Sequence, residues 1–464
     1  MKKTIVILLI IISCAFSKEI KIDLPQAISL ALENNGLSKI SKINLDIAQA
    51  QYEQALSANY PSLDAIFYLN RNSSDTIFQQ RGKFNLPLDL VGGIGALTGM
   101  EVPSTISADI DTKAMGRDTA RGTLELNYAL YTGGKIDAII KQAKLNKELA
   151  KVFIVKSEND IIFDVKKYYY GYILTNELYE IVNEIYRNMQ LSTELAKQFL
   201  ETSTTLKINR TDYLNAKLTT SLIQSALSKI ELNREMLKNA IANLIGLKWD
   251  DTVSISYDKN EILNQNISLQ ELIQKAYESN PDINKINLAV KIKNEQINES
   301  ESAYYPQVGV FGNLNKTYNS YEYVYLSEDN QNTWNLGIAV KMSIFDGFRT
   351  KNDVLEKKLN KKVMDEQKIL LEDGLAIQLK NEFLISSTVY KQIQILKDAV
   401  ETASENSDLN LKGFQYEMIE AKDLIQSQLT EAYVKADYLK YVHDYLLSLS
   451  KIDNLVGKKI DENF

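Results

Sequence analysis

The sequence repeats itself once over most of its length, and this duplication restricts the possible folds more than any other feature. Segment 22–61 matches segment 267–306 at a constant offset of 245 residues. Further matches follow in the same order: residues 131–135 with 345–349 at an offset of 214, and Asp212 with Asp423 at an offset of 211. The fall from 245 to 214 places 31 additional residues in the first half. Two long repeats in one order predict a duplicated architecture rather than a short-period solenoid.

Each repeat changes from a helical to a strand-like pattern at a Tyr-Pro pair. In the first repeat, apolar residues recur with a helical period from Leu24 to about Ala58, and Pro61 ends the helix. Apolar and polar residues then alternate with a period of two, as in segments 63–69 and 334–344. The predicted strands have about 9–11 residues, the length that a tilted strand needs to cross a bilayer. A strand of a soluble sandwich with one dry face fits this alternation equally well.

The helical segments that follow the strands are too long for a globular domain. Residues 134–199 contain no Pro and one interior Gly, Gly171. A mainly apolar heptad seam runs through them: Leu178, Val182, Ile185, Met189, Ser192, Ala196 and Phe199. A helix of about 65 residues is about 100 Å long. A second seam with the same spacing runs from Ile223 to Leu244 and includes Arg234. An ordinary soluble coiled coil would explain these helices but not the amphipathic hairpins.

The N-terminus has the pattern of an export signal. Lys2 and Lys3 precede an apolar core that is too short to span a membrane as a helix. Small residues predict cleavage after Ser17, which gives a signal peptide at 1–17. A lipoprotein-type site at Cys14 is the alternative, and it would leave a lipidated cysteine. No later segment reaches 18 consecutive apolar residues.

The composition excludes several classes of function. The chain has 53 basic and 60 acidic residues, so we expect no nucleic-acid partner. One Cys and one His among 464 residues leave no disulfide framework and no Cys/His zinc site. Because the sequence also lacks a Walker-type phosphate loop, we expect no enzymatic activity, no metal and no cofactor.

Four predicted strands per chain cannot close a barrel in a membrane. An open sheet edge is not viable in lipid, and known closed barrels need about eight strands or more. Copies of the chain must therefore share strands. Two copies would give eight strands, and three would give twelve.

These features resemble those of the outer-membrane efflux protein family, the TolC-like channel-tunnels. The motifs that carry the resemblance are the helix starts at Leu24 and Leu269, the Ala-x-Tyr-Pro strand entries at Ala58 and Ala303, the turns at 132–134 and 346–348, and the closing motifs at Asn243 and Asn454. The similarity covers essentially the whole mature chain. It implies an α+β membrane protein that is internally duplicated, with four transmembrane β-strands per protomer. Three protomers would form a 12-stranded barrel that continues into a long periplasmic α-helical coiled-coil barrel.

The resemblance also implies a function and a set of partners. The expected function is that of a homotrimeric outer-membrane exit duct in tripartite efflux or type I secretion. A periplasmic adaptor (membrane fusion) protein and an inner-membrane transporter would deliver the substrate, and the barrel would contact outer-membrane lipid. The expected localisation is the outer membrane, with a long periplasmic extension. An exported structural or adhesive coiled-coil surface protein is the alternative, and an exported enzyme that modifies glycans or lipids is a third possibility.

In the family, carboxylates at the periplasmic end form an acidic ring at the closed aperture. The resemblance assigns this role to Asp212 and Asp423. A second family carboxylate is replaced here by Gln426, although Glu417 and Glu420 could compensate. The competing interpretation is that Asp212 and Asp423 only cap the helices that follow the two tips.

Two segments depart from the family pattern. The first tip, 201–208, is longer than usual and lacks the Gly normally found there; Leu206 and Lys207 within it are the expected adaptor contacts. The hairpin loop at about 72–120 is Gly-rich and partly apolar, and it contains the 31 additional residues. This loop could be a lid over the lumen or a disordered surface loop on the extracellular side.

The predicted organisation of the chain follows from these patterns. It comprises a signal peptide at 1–17; a first repeat at 18–246, with a first helix, a β-hairpin at 62–131, a long helix at 134–200 and a helix at 210–245; a linker at 247–266; a second repeat at 267–457, with a first helix, a β-hairpin at 307–345, a long helix at 347–410 and a helix at 420–455; and a C-terminal tail at 458–464.

Overall fold

The computed structural model describes residues 20–202, 209–257, 268–319, 332–416 and 418–457. The predicted signal peptide, Cys14 and the C-terminal tail lie outside these ranges. The chain divides into two compact units. The helical unit comprises 1–50, 144–292 and 360–464, and the sheet unit comprises 51–143 and 293–359.

Each repeat contains short helices, strands and two long helices. The helices are α1 (Leu24–Asn34), α2 (Gly36–Leu56), α3 (Leu88–Thr98), α4 (Lys135–Thr202), α5 (Arg210–Leu244), α6 (Leu269–Ser279), α7 (Pro281–Glu301), α8 (Arg349–Gln415) and α9 (Ala421–Val456). The strands are β1 (Ile20–Ile22), β2 (Ser62–Arg71), β3 (Thr76–Asn85), β4 (Thr105–Met115), β5 (Asp118–Tyr131), β6 (Val253–Ile255), β7 (Gln307–Asn319) and β8 (Asn332–Lys341). Among the described helices, none is long and apolar enough to cross a membrane.

The sheet unit is built on one four-stranded antiparallel sheet with the order β2-β5-β7-β8. Each repeat supplies one hairpin, and the two hairpins meet where β5 pairs with β7. Strands β2 and β8 form the two edges. β8 ends at Lys341, so the alternation that continues to Ile344 in the sequence outlasts the strand.

The segment 72–120, expected as a loop, contains regular structure. β3 and β4 form a separate two-stranded antiparallel ribbon, and α3 lies between them. The backbone N–H of Asn72 donates to the carbonyl oxygen of Arg117 (2.8 Å), directly beyond the last β2–β5 pair, Arg71 and Asp118. The interpretation as a disordered loop was therefore wrong, because alternating residues in 76–85 and 105–115 can pair despite the Gly-rich run between them. We call residues 72–117 the arm.

The first helix, predicted to be continuous from Leu24 to about Ala58, is broken at Asn35. Asn35 has an extended backbone (ψ 137°), and its side-chain oxygen accepts a hydrogen bond from the backbone N–H of Leu37 (2.8 Å). Its side-chain amide donates to the carbonyl oxygen of Leu244 at the end of α5 (3.1 Å). The side chain of Asn35 therefore caps the start of α2 and binds the end of α5. The break in the first helix is thus stabilised by a tertiary contact.

The second repeat contains the same helix break at Asn280. We call the breaks at Asn35 and Asn280 the asparagine joints. The side-chain amide of Asn280 donates to the carbonyl oxygen of Leu455 (2.7 Å), and its oxygen accepts from the backbone N–H of Asp282 (2.7 Å). The long helices end beside the joints with Gly246 and Gly457, at φ 77° and 84°. A Cβ atom on Gly246 would lie 2.6 Å from the Cβ of Asn34, so the close approach also requires glycine.

Two equivalent cores support these joints in the helical unit. The first contains β1 and β6, which pair in parallel, together with residues of α1, α4 and α5. Its buried members are Ile22, Ala27, Ala31, Ile161, Val165, Tyr169, Tyr172, Ile241, Ala242, Ile245, Val253 and Ile255. The second core is formed by α6, α7, α8 and α9, with buried Leu272, Ala276, Ile283, Leu375, Leu379, Ile452, Leu455 and Val456.

Ion pairs join the two repeats near the second joint. Lys166 of α4 contacts Asp453 of α9 (2.8 Å), and Lys156 contacts Asp282 of α7 (3.3 Å). Burial alone would raise the pKa of the Asp282 carboxyl, but the hydrogen bond from Lys285 and the charge of Lys156 outweigh it and lower this pKa below its ordinary value. The repeats are thus connected by paired charges as well as by the β5–β7 ladder.

Candidate functional site

The strand register separates the sheet into an apolar face and a polar face. Directly paired residues share a face, so Leu63, Leu126 and Gly312 lie on the same side as Leu336. The exposed members of this apolar face, each between 44% and 76% exposed, are Leu63, Phe67, Leu69, Leu124, Leu314, Trp334, Leu336, Ile338 and Val340. A continuous apolar surface of this kind on all four strands suits contact with lipid rather than water.

The opposite face carries mainly amide, hydroxyl and charged side chains. Thr123 donates to Asn315 (2.8 Å) across β5 and β7, and Asn313 donates to Asn335 (3.2 Å) across β7 and β8. Two further bonds join β5 and β7 nearer their outer ends: Asn319 to Thr119 (2.9 Å) and Arg121 to Thr317 (3.3 Å). We call this surface the polar face. Its side chains hydrogen-bond to one another and remain able to bind water.

One level of the polar face combines two carboxylates with two amides. Asp64 lies directly opposite Glu125 in the β2–β5 pair, and Glu125 lies opposite Asn313, which pairs with Asn335. Like charges directly opposite in a sheet destabilise the pairing unless water or counter-ions surround them. This juxtaposition therefore also indicates that the polar face is hydrated.

The two strand-to-helix turns use left-handed backbone at equivalent positions. Gly133 has φ 67° and Gly347 has φ 69°. A Cβ atom on Gly133 would lie 2.6 Å from the carbonyl oxygen of Ser302, whereas no described atom lies within 4 Å of one on Gly347. In the second turn, hydrogen bonds from Thr350 lower the pKa of the Asp346 carboxyl, and Asp346 so stabilises the start of α8. The second turn also holds Phe348 at φ 65°, next to the first turn of α8.

The long helices pair with the same register in both repeats. Tyr179 of α4 stacks on Arg234 of α5 (4.3 Å from guanidinium carbon to ring centroid), and 14 residues further along α4, Thr193 lies 2.9 Å from Thr220. At an offset of 211, Tyr390 contacts Tyr445 (5.5 Å between ring centroids), and Ser404 donates to Glu431 (3.0 Å). The partners in Thr193–Thr220 and in Ser404–Glu431 are both 27 residues apart. The chain segment that turns at the tip therefore has the same length in both repeats.

Asp212 occupies the third position of α5, where it completes a capping box. Its carboxylate accepts from the backbone N–H of Asn209 (3.0 Å), and its own N–H donates to the side-chain oxygen of Asn209 (3.0 Å). The structure therefore gives Asp212 a capping role whether or not it also acts at an aperture. The predicted adaptor contacts Leu206 and Lys207 lie outside the described residues.

Asp423 occupies the same third position at the start of α9. It is exposed, and its backbone N–H donates to the carbonyl oxygen of Glu420 (3.1 Å). Glu420, the residue before α9, is also exposed and makes no side-chain capping bond. Glu417 lies outside the described residues. The tips therefore bring Asp212 and Asp423 to equivalent places in the two repeats.

Above the second tip, a small core joins three helices. Phe199 of α4 and Phe414 of α8 meet edge to face (6.3 Å between centroids), and Ala421 and Leu424 of α9 belong to the same cluster. Gln428, one turn beyond Leu424, is 1% exposed, and neither its amide nitrogen nor its amide oxygen has a partner among the described residues. Gln428 was not predicted from the sequence, because a lone Gln in a helix gives no sign of burial.

Within the described ranges, no group of three or more His, Cys, Asp or Glu side chains is placed to hold a metal ion. The facing carboxylates Asp64 and Glu125 were likewise not predicted from the sequence. Their opposition could have been found only from the pairing register, which the arm obscures.

Comparison with known proteins agrees with a lipid-facing sheet joined to long helices. The family description "Outer membrane efflux protein" matches residues 27–247 and 272–458. A membrane protein from Pseudomonas aeruginosa is 16% identical, with a TM-score of 0.74 over 97% of this chain and 93% of that one. The Campylobacter jejuni CmeC outer membrane channel is 15% identical, with a TM-score of 0.74 over 95% of this chain and 87% of that one. Curated protein sequences give no significant match.

A third solved structure is the outer membrane protein VceC from Vibrio cholerae, which is 14% identical, with a TM-score of 0.71 over 94% of this chain and 97% of that one. These likenesses confirm the predicted fold class, an internally duplicated α+β membrane protein with long helices. The family match extends over most of both repeats. The chain therefore belongs to the outer membrane efflux protein family, and it is an outer-membrane protein with a long periplasmic helical extension.

Proposed function

We propose that the protein is a homotrimeric exit duct that passively conducts substrates from an inner-membrane transporter and a periplasmic adaptor to the exterior. The observation that best supports this proposal is the four-stranded sheet, which has an apolar face, a polar face and two edge strands, β2 and β8. Unpaired edges are not viable in lipid. Three copies would pair each β2 with the β8 of a neighbour and enclose a lumen lined by the polar face.

Exposed apolar stripes on the long helices support the same assembly. Val363, Leu370, Ile377 and Leu384 recur every seven residues on α8 and are between 52% and 70% exposed. On α5, Leu214, Leu218 and Leu222 form a second stripe, between 50% and 62% exposed. A heptad stripe such as that on α8 is typical of a coiled-coil contact with another helix, and the residues of the α5 stripe, four apart, also lie on one side of their helix. Neighbouring copies are the partners that a closed ring of helices would supply.

Disulfide cross-linking tests the shared barrel. Phe67→Cys at the middle of β2 is combined in turn with Trp334→Cys, Leu336→Cys and Ile338→Cys on β8. We expect one of these pairs to link different subunits, while the control pair Phe67→Cys with Val310→Cys on the interior strand β7 does not. The assembled protein is then reconstituted in a planar bilayer, where the trimer should conduct ions. A detergent-free monomer with neither cross-links nor conductance would instead support an adhesive coiled-coil protein.

Asp212 and Asp423 are proposed to form the acidic ring at the periplasmic aperture, supplemented by Glu417 and Glu420. Threefold repetition would place like charges close together, where they attract cations and resist closure. Asp212→Asn removes the charge but keeps an oxygen that can accept the Asn209 bond, whereas Asn209→Ala weakens the cap but keeps the charge. We expect block by divalent cations to weaken in Asp212→Asn and in Asp423→Asn. Weakening in Asn209→Ala alone would leave Asp212 with only its capping role.

Leu206 and Lys207 are proposed to contact the periplasmic adaptor at the first tip. The test is co-purification of the tagged full-length protein with its periplasmic adaptor from the native host. Leu206→Asp and Lys207→Glu should reduce recovery of the adaptor, whereas Ser221→Ala at an exposed position of α5 should leave it unchanged. Whether the transporter belongs to an efflux or a type I secretion system would follow from the identity of that adaptor's partner.

A further inference from the structure

The arm carries an apolar helix surface that nothing in the described chain covers. Leu90, Ile94 and Leu97 of α3 lie at i, i+4 and i+7, on one side of the helix, and are 51%, 41% and 88% exposed. Leu88 and Met100 at its two ends are 82% and 72% exposed. A helix of 11 residues is marginal by itself in water. This stripe therefore has the form of a surface that packs against another helix.

The ribbon that carries α3 is also amphipathic. Phe84 pairs with Ile106, and both are about half exposed, at 51% and 47%. On the opposite face, Arg81 pairs with Asp109 across the ribbon. A two-stranded ribbon is marginally stable alone, and an apolar face is what a third element would cover. The arm as a whole thus lacks one layer of packing.

The position of the arm limits what can supply that layer. β3 follows β2 across a short bend, and β2 is an edge of the four-stranded sheet. The arm therefore begins at the seam where a neighbouring copy would pair, at the end of the sheet opposite the helix turns. Residues 88–98 contain one charged residue, Asp89, so self-association meets little electrostatic repulsion.

The arm is also long enough to reach its copies. A ribbon of ten residues is about 33 Å long at about 3.3 Å per residue. Twelve strands about 4.8 Å apart and tilted by about 40° enclose a barrel with a radius of about 12 Å. Each arm therefore exceeds the distance from the barrel wall to the threefold axis. Tethering to one barrel would give the arms a high effective concentration for one another.

We propose that α3 packs on α3 of the neighbouring copies, so that three arms form a lid over the outer mouth of the duct. The inference rests on the proposed trimer. The lid belongs to the first repeat alone, because the 31 additional residues have no counterpart in the second hairpin.

Single-cysteine cross-linking in the full-length protein tests the contact. Leu97→Cys lies on the apolar stripe, and the control Ser107→Cys lies on the exposed polar side of the ribbon. Under mild oxidation of membranes, Leu97→Cys should form disulfide-linked dimers within the trimer, whereas Ser107→Cys should not. Equal linking of both variants, or of neither, would overturn the proposal.

Conductance supplies a second measurement that does not depend on disulfide geometry. Leu90→Asp with Ile94→Asp should separate the arms and raise the single-channel conductance, while Asp89→Ser should leave it unchanged. A normal trimer with unchanged conductance in the double variant would reject the lid and leave the proposed duct intact. A wild-type protein that forms no trimer would reject both. Protection of Leu97→Cys from water-soluble thiol reagents by lipid alone, in a monomer, would identify lipid as the occupant instead and overturn the lid.

Discussion

The two coiled-coil hairpins share one register but use different chemistry at the same levels. In the first repeat, a cation faces an aromatic ring at Tyr179–Arg234, and two hydroxyls meet at Thr193–Thr220. In the second, two rings meet at Tyr390–Tyr445, and Ser404 binds the carboxylate of Glu431. Duplication therefore preserved the spacing of the contacts, while the side chains diverged.

At equivalent positions, the first hairpin therefore places a cation against an aromatic ring, whereas the second places two aromatic rings against each other. The side chain of Arg234 is 18% exposed and has Glu231 and Glu235 within about 4 Å, so its charge is partly compensated. Tyr445 is 3% exposed and belongs to a cluster with Val389 and Ile393. Exchanging the residues between repeats would test whether register or chemistry determines stability.

The largest expected effect comes from moving the cation into the second hairpin. Tyr445→Arg would bury a charge at a position where Val442 and Leu446 replace the two carboxylates that flank Arg234, at a cost of about 3 kcal/mol or more in the free energy of unfolding. The reciprocal change Arg234→Tyr should cost less than about 1.5 kcal/mol, because it restores an aromatic pair with Tyr179. The measurement is the thermal unfolding midpoint of the detergent-solubilised protein, followed by circular dichroism. Equal losses in the two variants would mean that the hairpins do not differ as described.

The strand-to-helix turns give the next largest difference. Gly133→Ala should destabilise the protein by about 2–4 kcal/mol, because it combines a strained positive φ with a clash against Ser302. Gly347→Ala has the same φ but open space, so we expect a loss of about 1 kcal/mol. Folding yield and the unfolding midpoint measure both. If Gly347→Ala proved the more harmful variant, the contact at Gly133 would not be the restriction on the first turn.

The contact between Ser404 and Glu431 in the second hairpin predicts a smaller, pH-dependent effect on stability. Burial alone would raise the pKa of the Glu431 carboxyl, but hydrogen bonds from Lys435 and Ser407 outweigh it and lower this pKa below its ordinary value. A lowered pKa in the folded state stabilises the protein above the ordinary pKa of Glu, and this contribution is lost as the pH falls through the folded-state pKa. Glu431→Gln should therefore cost about 1 kcal/mol at pH 7 and progressively less as the pH falls below the ordinary pKa of Glu.

Thr220→Val is the matched change in the first repeat, since it removes a neutral hydroxyl at the equivalent position. Its effect on the unfolding midpoint should not vary between acid and neutral pH. A pH-dependent loss in Thr220→Val as large as in Glu431→Gln would show that the titration belongs to another group.

The period-two alternation predicted the two faces of the sheet, and the strand register confirms it. Such alternation is a local property, and Leu63 and Leu336 could be assigned to one face without knowledge of their neighbours. The heptad seams likewise placed Arg234 at the helix contact before its partner was known. Patterns that depend on a short period were therefore readable from the sequence.

Features that depend on distant partners were not readable. The helix break at Asn35 is held by Leu244, and the burial of Gln428 depends on how the helices around the second tip pack. In the arm, the Gly-rich run hid a helix because glycine lowers helix propensity, although the flanking ribbon fixes both ends of the segment. At the tips, the sequence located the starts of α5 and α9 but could not distinguish a capping carboxylate from an aperture carboxylate.

The asparagine joints explain how the first repeat could accept so large an insertion. The bond from Asn35 to Leu244 closes a loop of 209 residues, and that from Asn280 to Leu455 closes one of 175 residues. Loop-closure entropy rises only with the logarithm of length, so the longer loop costs about 0.2 kcal/mol more than the shorter one. The arm could thus be inserted between Asn35 and Leu244 with almost no added entropic cost for the hydrogen bond that joins these two residues.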